Sequence, residues 1–580
     1  MHEQKILEVR RTRPDRHDAF PGLRHPAFAL AMLVGAAAIA ALALLSIAYG
    51  STLIPLTDVV AALGRAIGFS GHDVSGPVGK IVVDLRLPRT VLAICVGAGL
   101  GVVGALLQTV TRNDLADPFL FGLSSGAAAG AVSVITVFGD SFGIWTLPVA
   151  AFTGGILAAG VVLLLVARVR GQGPERLILA GLAVSFMSTA LTNYLVFAGD
   201  QRAAHSVLFW TMGGLGLARW DNIWLGALGA GTILAYALWN HRRLDAFLAG
   251  ENAAESLGVP VARMRRMTFL VAAFSTAILV SVAGVIGFVG LAAATLARIG
   301  GARRLGQQLV MAPLIGGALL WAADQAVQIA TGPQGDLLPT GAITALLGAP
   351  LLLWLLPRLA LGSEAPTLMA ARLPRASRPG LMLTAIGLAL LLLLGLALLY
   401  GPGPHGWTFA FGDELQPLLS WRWPRVLAAL SAGAMLALAG LMMQRLTGNP
   451  MASPEVLGIS AGAALGMMVA LFALSDAGRP VQTAAATIGA FAALLVTLAI
   501  GRRAAYAPER LLLAGVALTA LFDALILVLT ATGDPRAMLL LNWLTGSTYG
   551  VDVGDALLTG GIAVCLFALA PFFMRWLDIL

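Results

Sequence analysis

Charged residues are scarce in this chain of 580 residues. They make up 11% of it, against 58% for hydrophobic residues, whereas a soluble globular protein carries about 25% charge. That shortage excludes a water-soluble enzyme. Residues 27–49 and 381–400 each run without a single charge, over the roughly twenty residues that a transmembrane helix needs. The sequence therefore predicts an all-α, polytopic membrane protein.

Lysine and cysteine are almost absent as well. Lys5 and Lys80 are the only lysines, so the net charge of +8 comes from arginines in short clusters between apolar stretches. This distribution follows the positive-inside rule, and we expect no nucleic-acid partner. Cys95 and Cys565 lie inside apolar runs, which excludes a disulfide framework and a cysteine-based metal site.

Motifs for metal or nucleotide chemistry are also lacking. The seven histidines have no ligand spacing, so we expect no metal site. Gly79-Lys80 lacks the glycine five residues earlier that a phosphate-binding loop needs. We therefore expect no catalytic residues, no cofactor and no ATP hydrolysis on this chain.

Apolar runs divide the first part of the chain into ten predicted spans. Alternation from a cytoplasmic N-terminal segment, residues 1–26, places most of the arginine-rich loops on the cytoplasmic side. A polar connector at 362–379 contains no apolar run and is interpreted as a cytoplasmic linker between a first repeat, 27–361, and a second, 380–580. The spans are 27–49, 88–110, 119–137, 147–167, 177–198, 223–240, 267–285, 286–297, 309–330 and 339–357.

The second repeat is visible in the residues themselves. Residues 87–89, Leu-Pro-Arg, recur as Trp-Pro-Arg at 423–425, and residues 122–124 recur at 458–460 with the same offset. This pattern indicates a tandem duplication with both copies in the same orientation and a translocation path between the halves. Because Leu244-Asp245 aligns with Leu577-Asp578, we expect the second ten-span repeat to be truncated after about six spans.

The loop at 248–266 has a helical signature. Glu251 to Leu257 favours a helix, Gly258 is a natural helix end, and Pro260 prevents continuation. A short cytoplasmic helix followed by an arginine cluster would suit a soluble partner. On composition alone, the simpler interpretation is an ordinary loop that obeys the positive-inside rule.

Two arginine pairs stand at span entrances on the side that normally avoids positive charge. They are Arg86 with Arg89, and Arg422 with Arg425. Guanidinium groups there could bind carboxylates of a docked protein or an anionic solute, or could snorkel to the interface.

Polar residues inside the spans are candidates either for a polar path or for helix-to-helix hydrogen bonds. They are Gln108, Asn193, Asp324, Gln444 and Asp523.

Seven motifs belong together, at residues 86–89, 108, 113–118, 122–126, 250–259, 287–291 and 338–350. They resemble the iron-siderophore and vitamin B12 family of ABC importer permeases, the FecCD type. The double-length form resembles the fused ferric hydroxamate members of that family.

The resemblance implies a transport subunit, not an enzyme, that moves ferric hydroxamate siderophores across the bacterial inner membrane. It implies three partners besides the bilayer: the siderophore, a periplasmic binding protein and a separate, homodimeric ABC ATPase that uses ATP. Vitamin B12, haem or another siderophore are alternative cargoes. An ion-coupled secondary transporter is the alternative of a different class; Asp324 and Asp523 would be its relay, but they do not occupy matching repeat positions.

The resemblance also implies roles for residues. In the family, the helix after span six couples to the ATPase and the outer arginine pairs receive acidic residues of the binding protein, here Arg86, Arg89, Arg422 and Arg425. The expected coupling residues are Gly250, Glu251, Ala254, Leu257 and Gly258.

This sequence departs from the family at three places. The Pro-His pair that usually follows residues 287–291 is replaced by alanines and Thr295. The acidic residue that usually stands before Leu-Pro is not there either, since Asp336 is displaced from that position. A second coupling loop is also missing, so we interpret the chain as one intact half-transporter joined to a second that is cut before its loop.

Overall fold

The computed structural model describes most of the chain in two units. By contacts these are Met1–Leu352 with Asp523–Gly533, and Leu353–Phe522 with Asp534–Leu580. The described residues are 30, 33–35, 37–38, 46, 48–49, 53–66, 77–113, 116–118, 121–138, 143–167, 174–198, 213–216, 218–331, 339–355, 377–403, 406–412, 415–447, 452–474, 478–503, 508–530, 534–544 and 546–577.

Helices build the described part of the first unit. A short π-helical stretch, Ile81–Arg86, continues directly into α2, because Arg86 and Leu87 at the junction both keep helical backbone angles. The helices are α1 Leu56–Ala66, α2 Leu87–Thr111, α3 Leu123–Phe138, α4 Thr146–Ala167, α5 Pro174–Ala198, α6 Trp220–Asp245, α7 Glu251–Ser256, α8 Val261–Ala283, α9 Val289–Ile299, α10 Leu305–Thr331 and α11 Thr340–Leu355.

Helix α2 lies at the centre of this unit. Its Leu92 and Val96 belong to a core cluster that includes Leu279 of α8 and Trp321 of α10. Close helix packing is possible because α2 is rich in glycine: a Cβ on Gly97 would overlap the carbonyl oxygen of Gly316 in α10. Small residues that let backbones approach are typical of helix pairs in membranes.

The second unit contains helices and one hairpin. The antiparallel strands β1 Tyr400–Gly403 and β2 Gly406–Phe409 follow α12 directly, and Tyr400 pairs with Phe409. The helices are α12 Pro379–Leu399, α13 Leu415–Thr447, α14 Ile459–Ala473, α15 Arg479–Arg503, α16 Pro508–Thr530, α17 Pro535–Leu544 and α18 Val553–Leu577. By contacts, the part of α16 from Asp523 onwards is assigned to the first unit.

The two units repeat the same helix packing. In the first, Cβ atoms on Gly126 of α3 and Gly154 of α4 would overlap the facing helix. In the second unit, Cβ atoms on Gly462 of α14 and Gly489 of α15 would overlap the facing helix in the same way. The tandem duplication predicted from sequence is therefore confirmed in the packing.

Most of the predicted spans coincide with helices. Within the described ranges, nine helices are long and apolar enough to cross a membrane, and shorter apolar ones have 10–17 residues. The prediction of a polytopic all-α membrane protein is confirmed. Boundaries differ at the ends of two helices: α6 runs on to Asp245, and α8 begins at Val261, directly after Pro260.

Some predicted segments lie outside the described residues. They are the N-terminal segment 1–26, most of the first span at 27–49, and the linker up to residue 376.

Candidate functional site: the two ends of the first helical unit

Residues 246–260 form a compact segment between α6 and α8, which we call the docking segment. A 3-10 turn, Ala246–Ala249, leads to Gly250, whose φ of 110° favours glycine, and α7 follows at once. Gly258 has a φ of 78°, and Pro260 precedes α8. The predicted short helix is confirmed, beginning at Glu251 and ending at Ser256.

One side of the docking segment is anchored and the other is free of packing. Phe247 and Ala254 are fully buried, whereas Leu257 is 72% exposed. An exposed apolar side chain on a fixed helix turn is a ready contact for a partner protein.

Two side-chain contacts fix the surroundings of the docking segment, one from inside it to α8 and one from the residue just before it to α10. Glu251 forms an ion pair with Arg265 in the second turn of α8, and the Arg265 side chain is 8% exposed. Asp245, the last residue of α6, accepts the backbone N–H of Leu305 through Oδ1 at 3.0 Å. The first backbone amides of a helix have no partner inside it, so Asp245 caps α10.

Arginines gather at this end of the first unit, which we call the loop end. Arg298, near the C-terminus of α9, donates from Nη2 to Oε1 of Gln108 in α2 at 2.7 Å. Other arginine side chains there are exposed to solvent: Arg112, Arg242, Arg243, Arg263, Arg266, Arg303 and Arg304. These arginines therefore lie together at one end of the described part of the first unit.

A buried ion-pair network occupies the opposite end of the first unit, the arginine end. Arg89 donates to Asp324 from Nε at 2.7 Å and from Nη2 at 2.8 Å. Gln328 Nε2 donates to Asp324 at 2.8 Å, and Thr340 Oγ1 also donates to Asp324, at 3.1 Å. The Asp324 carboxylate thus accepts four hydrogen bonds, which satisfy its oxygens although its side chain is only 1% exposed.

This network ties three helices together at one point. Arg89 belongs to α2, Asp324 to α10 and Thr340 to the first turn of α11. Gln108 and Asp324 therefore make helix-to-helix hydrogen bonds, one of the two interpretations open from sequence.

The remaining arginines of the two pairs have different surroundings. Arg86 is 7% exposed. In the second unit, Arg422 donates to the carbonyl of Leu398 at 3.0 Å, and a cation near the end of α12 is favoured by the helix dipole. Arg425 stacks over the ring of Tyr549, 4.2 Å from its centroid.

Three polar candidates lie apart from these networks. Asn193 of α5, Gln444 of α13 and Asp523 of α16 have side chains exposed on the surface of the chain. Within the described ranges, no group of three or more His, Cys, Asp or Glu could hold a metal ion.

Sequence reasoning missed the partners of the predicted residues. Arg265, Asp245, Gln328 and Thr340 were not candidates, because each pairs with a residue on a different helix or in a different turn. One signal was available: Asp245 places a carboxylate at the C-terminus of its own helix, where negative charge is unfavourable. A carboxylate in that position is therefore expected to bind a group outside its own helix.

Comparison with known proteins extends over both halves. The FecCD transport family profile matches residues 38–358 and 386–580. The iron(3+)-hydroxamate import system permease protein FhuB of Salmonella typhimurium is 42% identical over 501 residues, 85% of this chain and 72% of that protein. FhuB of Escherichia coli is 41% identical over 505 residues, 85% of this chain and 74% of that protein.

A single-length relative matches about half of this chain. The vitamin B12 import system permease protein BtuC of Klebsiella pneumoniae is 31% identical over 315 residues. The match covers 53% of this chain and 93% of that protein.

Proposed function

This chain belongs to the FecCD transport family, and we propose that it is the membrane permease of an ABC importer for ferric hydroxamate siderophores. The observation that carries the proposal is the match to two iron(3+)-hydroxamate permeases over 85% of the chain. The substrate would come from a periplasmic binding protein and leave into the cytoplasm of the cell.

The distribution of arginine supports an orientation in the inner membrane. Exposed arginines crowd the loop end, and positively charged loops remain in the cytoplasm. We therefore assign the loop end and the N-terminus to the cytoplasm and the arginine end to the periplasm.

We assign the docking segment to a separate ATPase. Leu257 supplies an exposed apolar contact, while Gly250, Ala254 and Gly258 give the segment its shape. ATP binding and hydrolysis on the partner would shift the permease between its outward- and inward-facing states, with no covalent chemistry on this chain.

We assign contact with the binding protein to the periplasmic arginines. Arg425 lies over Tyr549, which is 76% exposed, and can meet a carboxylate without rearrangement. Docking through Arg86 or Arg89 would require buried guanidinium groups to move, and Arg89 to share its ion pair with Asp324.

The energy source is tested by uptake of radioactive iron as a ferric hydroxamate in cells that lack their own permease. We expect this chain with its ATPase and binding protein to restore uptake, and removal of the catalytic carboxylate of the ATPase to abolish it. Uptake that survives this removal but collapses with a proton uncoupler would establish the ion-coupled alternative.

Vitamin B12 is the second candidate cargo, favoured by the 31% identical relative. Competition decides between the two cargoes. An excess of unlabelled ferric hydroxamate should suppress uptake of the radioactive iron, and an excess of vitamin B12 should leave that uptake unchanged. Haem and a catecholate siderophore serve as further competitors.

A further inference from the structure

We infer that Arg265 and Asp245 are positioning residues that transmit movement of the docking segment to α8 and α10. This rests on the proposed function, since it takes the segment as the seat of an ATPase. Neither residue needs to touch the ATPase or the substrate. Each acts through the helix that it joins.

The first connection runs from α7 to α8. Glu251 is the first residue of α7 and forms an ion pair with Arg265 of α8. Its partner Arg265 is 7% exposed. A buried ion pair is costly to break, so a movement of α7 away from α8 would cost the contact between Glu251 and Arg265. The ion pair therefore favours joint movement of the two helices.

The second connection runs from α6 to α10. Asp245 directly precedes the docking segment and accepts the amide of Leu305, which is fully buried. Gln307 Oε1 accepts the amides of Arg303 at 2.9 Å and Arg304 at 3.1 Å, so the start of α10 is held by one local side chain and one from α6. Movement of the segment therefore pulls on the first turn of α10.

Helix α10 carries that movement through the membrane. Nineteen residues separate Leu305 from Asp324, about 28 Å at 1.5 Å per residue. Asp324 holds Arg89 of α2 and Thr340 of α11. A contact at the cytoplasmic loop thus reaches the periplasmic ends of three helices through one helix and two side-chain connections.

A charge swap tests the first connection in the complete complex of permease, ATPase and binding protein. The variants are Arg265→Glu, Glu251→Arg and the double variant, with Arg265→Lys as the conservative substitution. Four quantities are measured: ATPase that co-purifies with the permease, basal ATP hydrolysis, its stimulation by loaded binding protein, and iron uptake.

We expect Arg265→Glu to retain the ATPase, and both single reversals to lower stimulated hydrolysis and uptake at least about tenfold, within the usual range of coupling between sites. The double variant should recover uptake to within about threefold of the unchanged protein, because the ion pair is restored with opposite polarity. Uptake with Arg265→Lys should lie between that of the single reversals and that of the double variant.

Asp245 gives an independent arm. Asp245→Asn keeps an acceptor oxygen for the Leu305 amide and should retain coupling, whereas Asp245→Leu has the same approximate size without that oxygen and should lose it. Basal hydrolysis and ATPase binding should be the same in both variants.

Three results would overturn the inference: normal uptake in Arg265→Glu, a double variant no better than the single ones, or equal behaviour of Asp245→Asn and Asp245→Leu. Loss of ATPase binding in Arg265→Glu without recovery in the double variant would also do so, because the pair would then only maintain the fold. The unchanged protein reports on the proposed function separately, since its failure to take up ferric hydroxamate would remove that function whatever the variants do.

Discussion

Arg89 and Asp324 form a two-pronged ion pair although 235 residues separate them in the chain. The Asp324 side chain is 1% exposed and that of Arg89 13%. Removal of one member of a buried pair leaves an uncompensated charge, which is more damaging than replacement of both.

We therefore predict that Asp324→Asn lowers the free energy of unfolding by about 3–5 kcal/mol. The double variant Arg89→Met/Asp324→Leu should lose less than the sum of the two single changes, because no charge is left buried. Thermal unfolding in detergent measures both.

Asp221→Asn is the matched control at the same end of the first unit. Asp221 is exposed on the first turn of α6, and its neutralisation should stay within about 0.5 kcal/mol. Equal effects of Asp324→Asn and Asp221→Asn would contradict the ion-pair account.

The glycine contacts between α3 and α4 make a second prediction. A Cβ on Gly154 would overlap the backbone of α3, whereas one on Gly160, two turns along α4, would meet nothing within 4 Å. Gly154→Ala should destabilise by about 1–3 kcal/mol through overpacking. Gly160→Ala should stabilise by about 0.5–1 kcal/mol, because alanine loses less backbone entropy.

The same substitution in the second unit tests the repeat. Gly489 occupies the corresponding place between α14 and α15, so Gly489→Ala should reproduce the loss seen with Gly154→Ala. A neutral Gly489→Ala would show that the two copies do not share this packing.

Docking of the binding protein gives a third prediction. Arg425→Glu should weaken its affinity for the permease by at least about tenfold and reduce the salt dependence of binding. Surface immobilisation of the binding protein allows both to be measured, and Tyr549→Ala should weaken binding less.

Arg502→Glu controls for the change in net charge. Arg502 is exposed near the end of α15 that lies opposite Arg479. Arg502→Glu should leave the affinity of the binding protein for the permease unchanged. If Arg425→Glu binds normally while Arg502→Glu does not, the assigned orientation is reversed.

A fourth prediction concerns the exposed apolar side chain of the docking segment. Leu257→Asp should reduce the amount of co-purifying ATPase, because a carboxylate replaces an apolar contact that is 72% exposed in the free chain. Leu257→Met keeps an apolar side chain of similar volume and should behave normally. Full ATPase binding in Leu257→Asp would place the contact elsewhere.

The sequence predicts those features of this molecule that depend on local chemistry. Gly258 and Pro260 delimit α7 because each acts on its own backbone, and the recurrence of residues 122–124 at 458–460 reveals the duplicated packing. The pairing of Arg89 with Asp324 could not be predicted in this way, since nothing near either residue specifies a partner on another helix.

The sequence also could not predict which polar side chains inside the spans are exposed. Gln108 and Asn193 both interrupt apolar helices, yet Gln108 bonds to Arg298 and is 4% exposed, while Asn193 faces outward from the chain. Helix α5 has almost no preferred apolar face, so its sequence does not specify which side packs inward.

The central claim is that ATP hydrolysis on a partner drives ferric hydroxamate through this chain, and reconstitution tests it most directly. The permease and its ATPase are placed in liposomes with loaded binding protein on the side of the arginine end, and accumulation of radioactive iron is followed with ATP or a non-hydrolysable analogue on the other side. The account predicts accumulation only with ATP and no response to a collapsed proton gradient. Accumulation without hydrolysis, driven by a proton gradient alone, would contradict it.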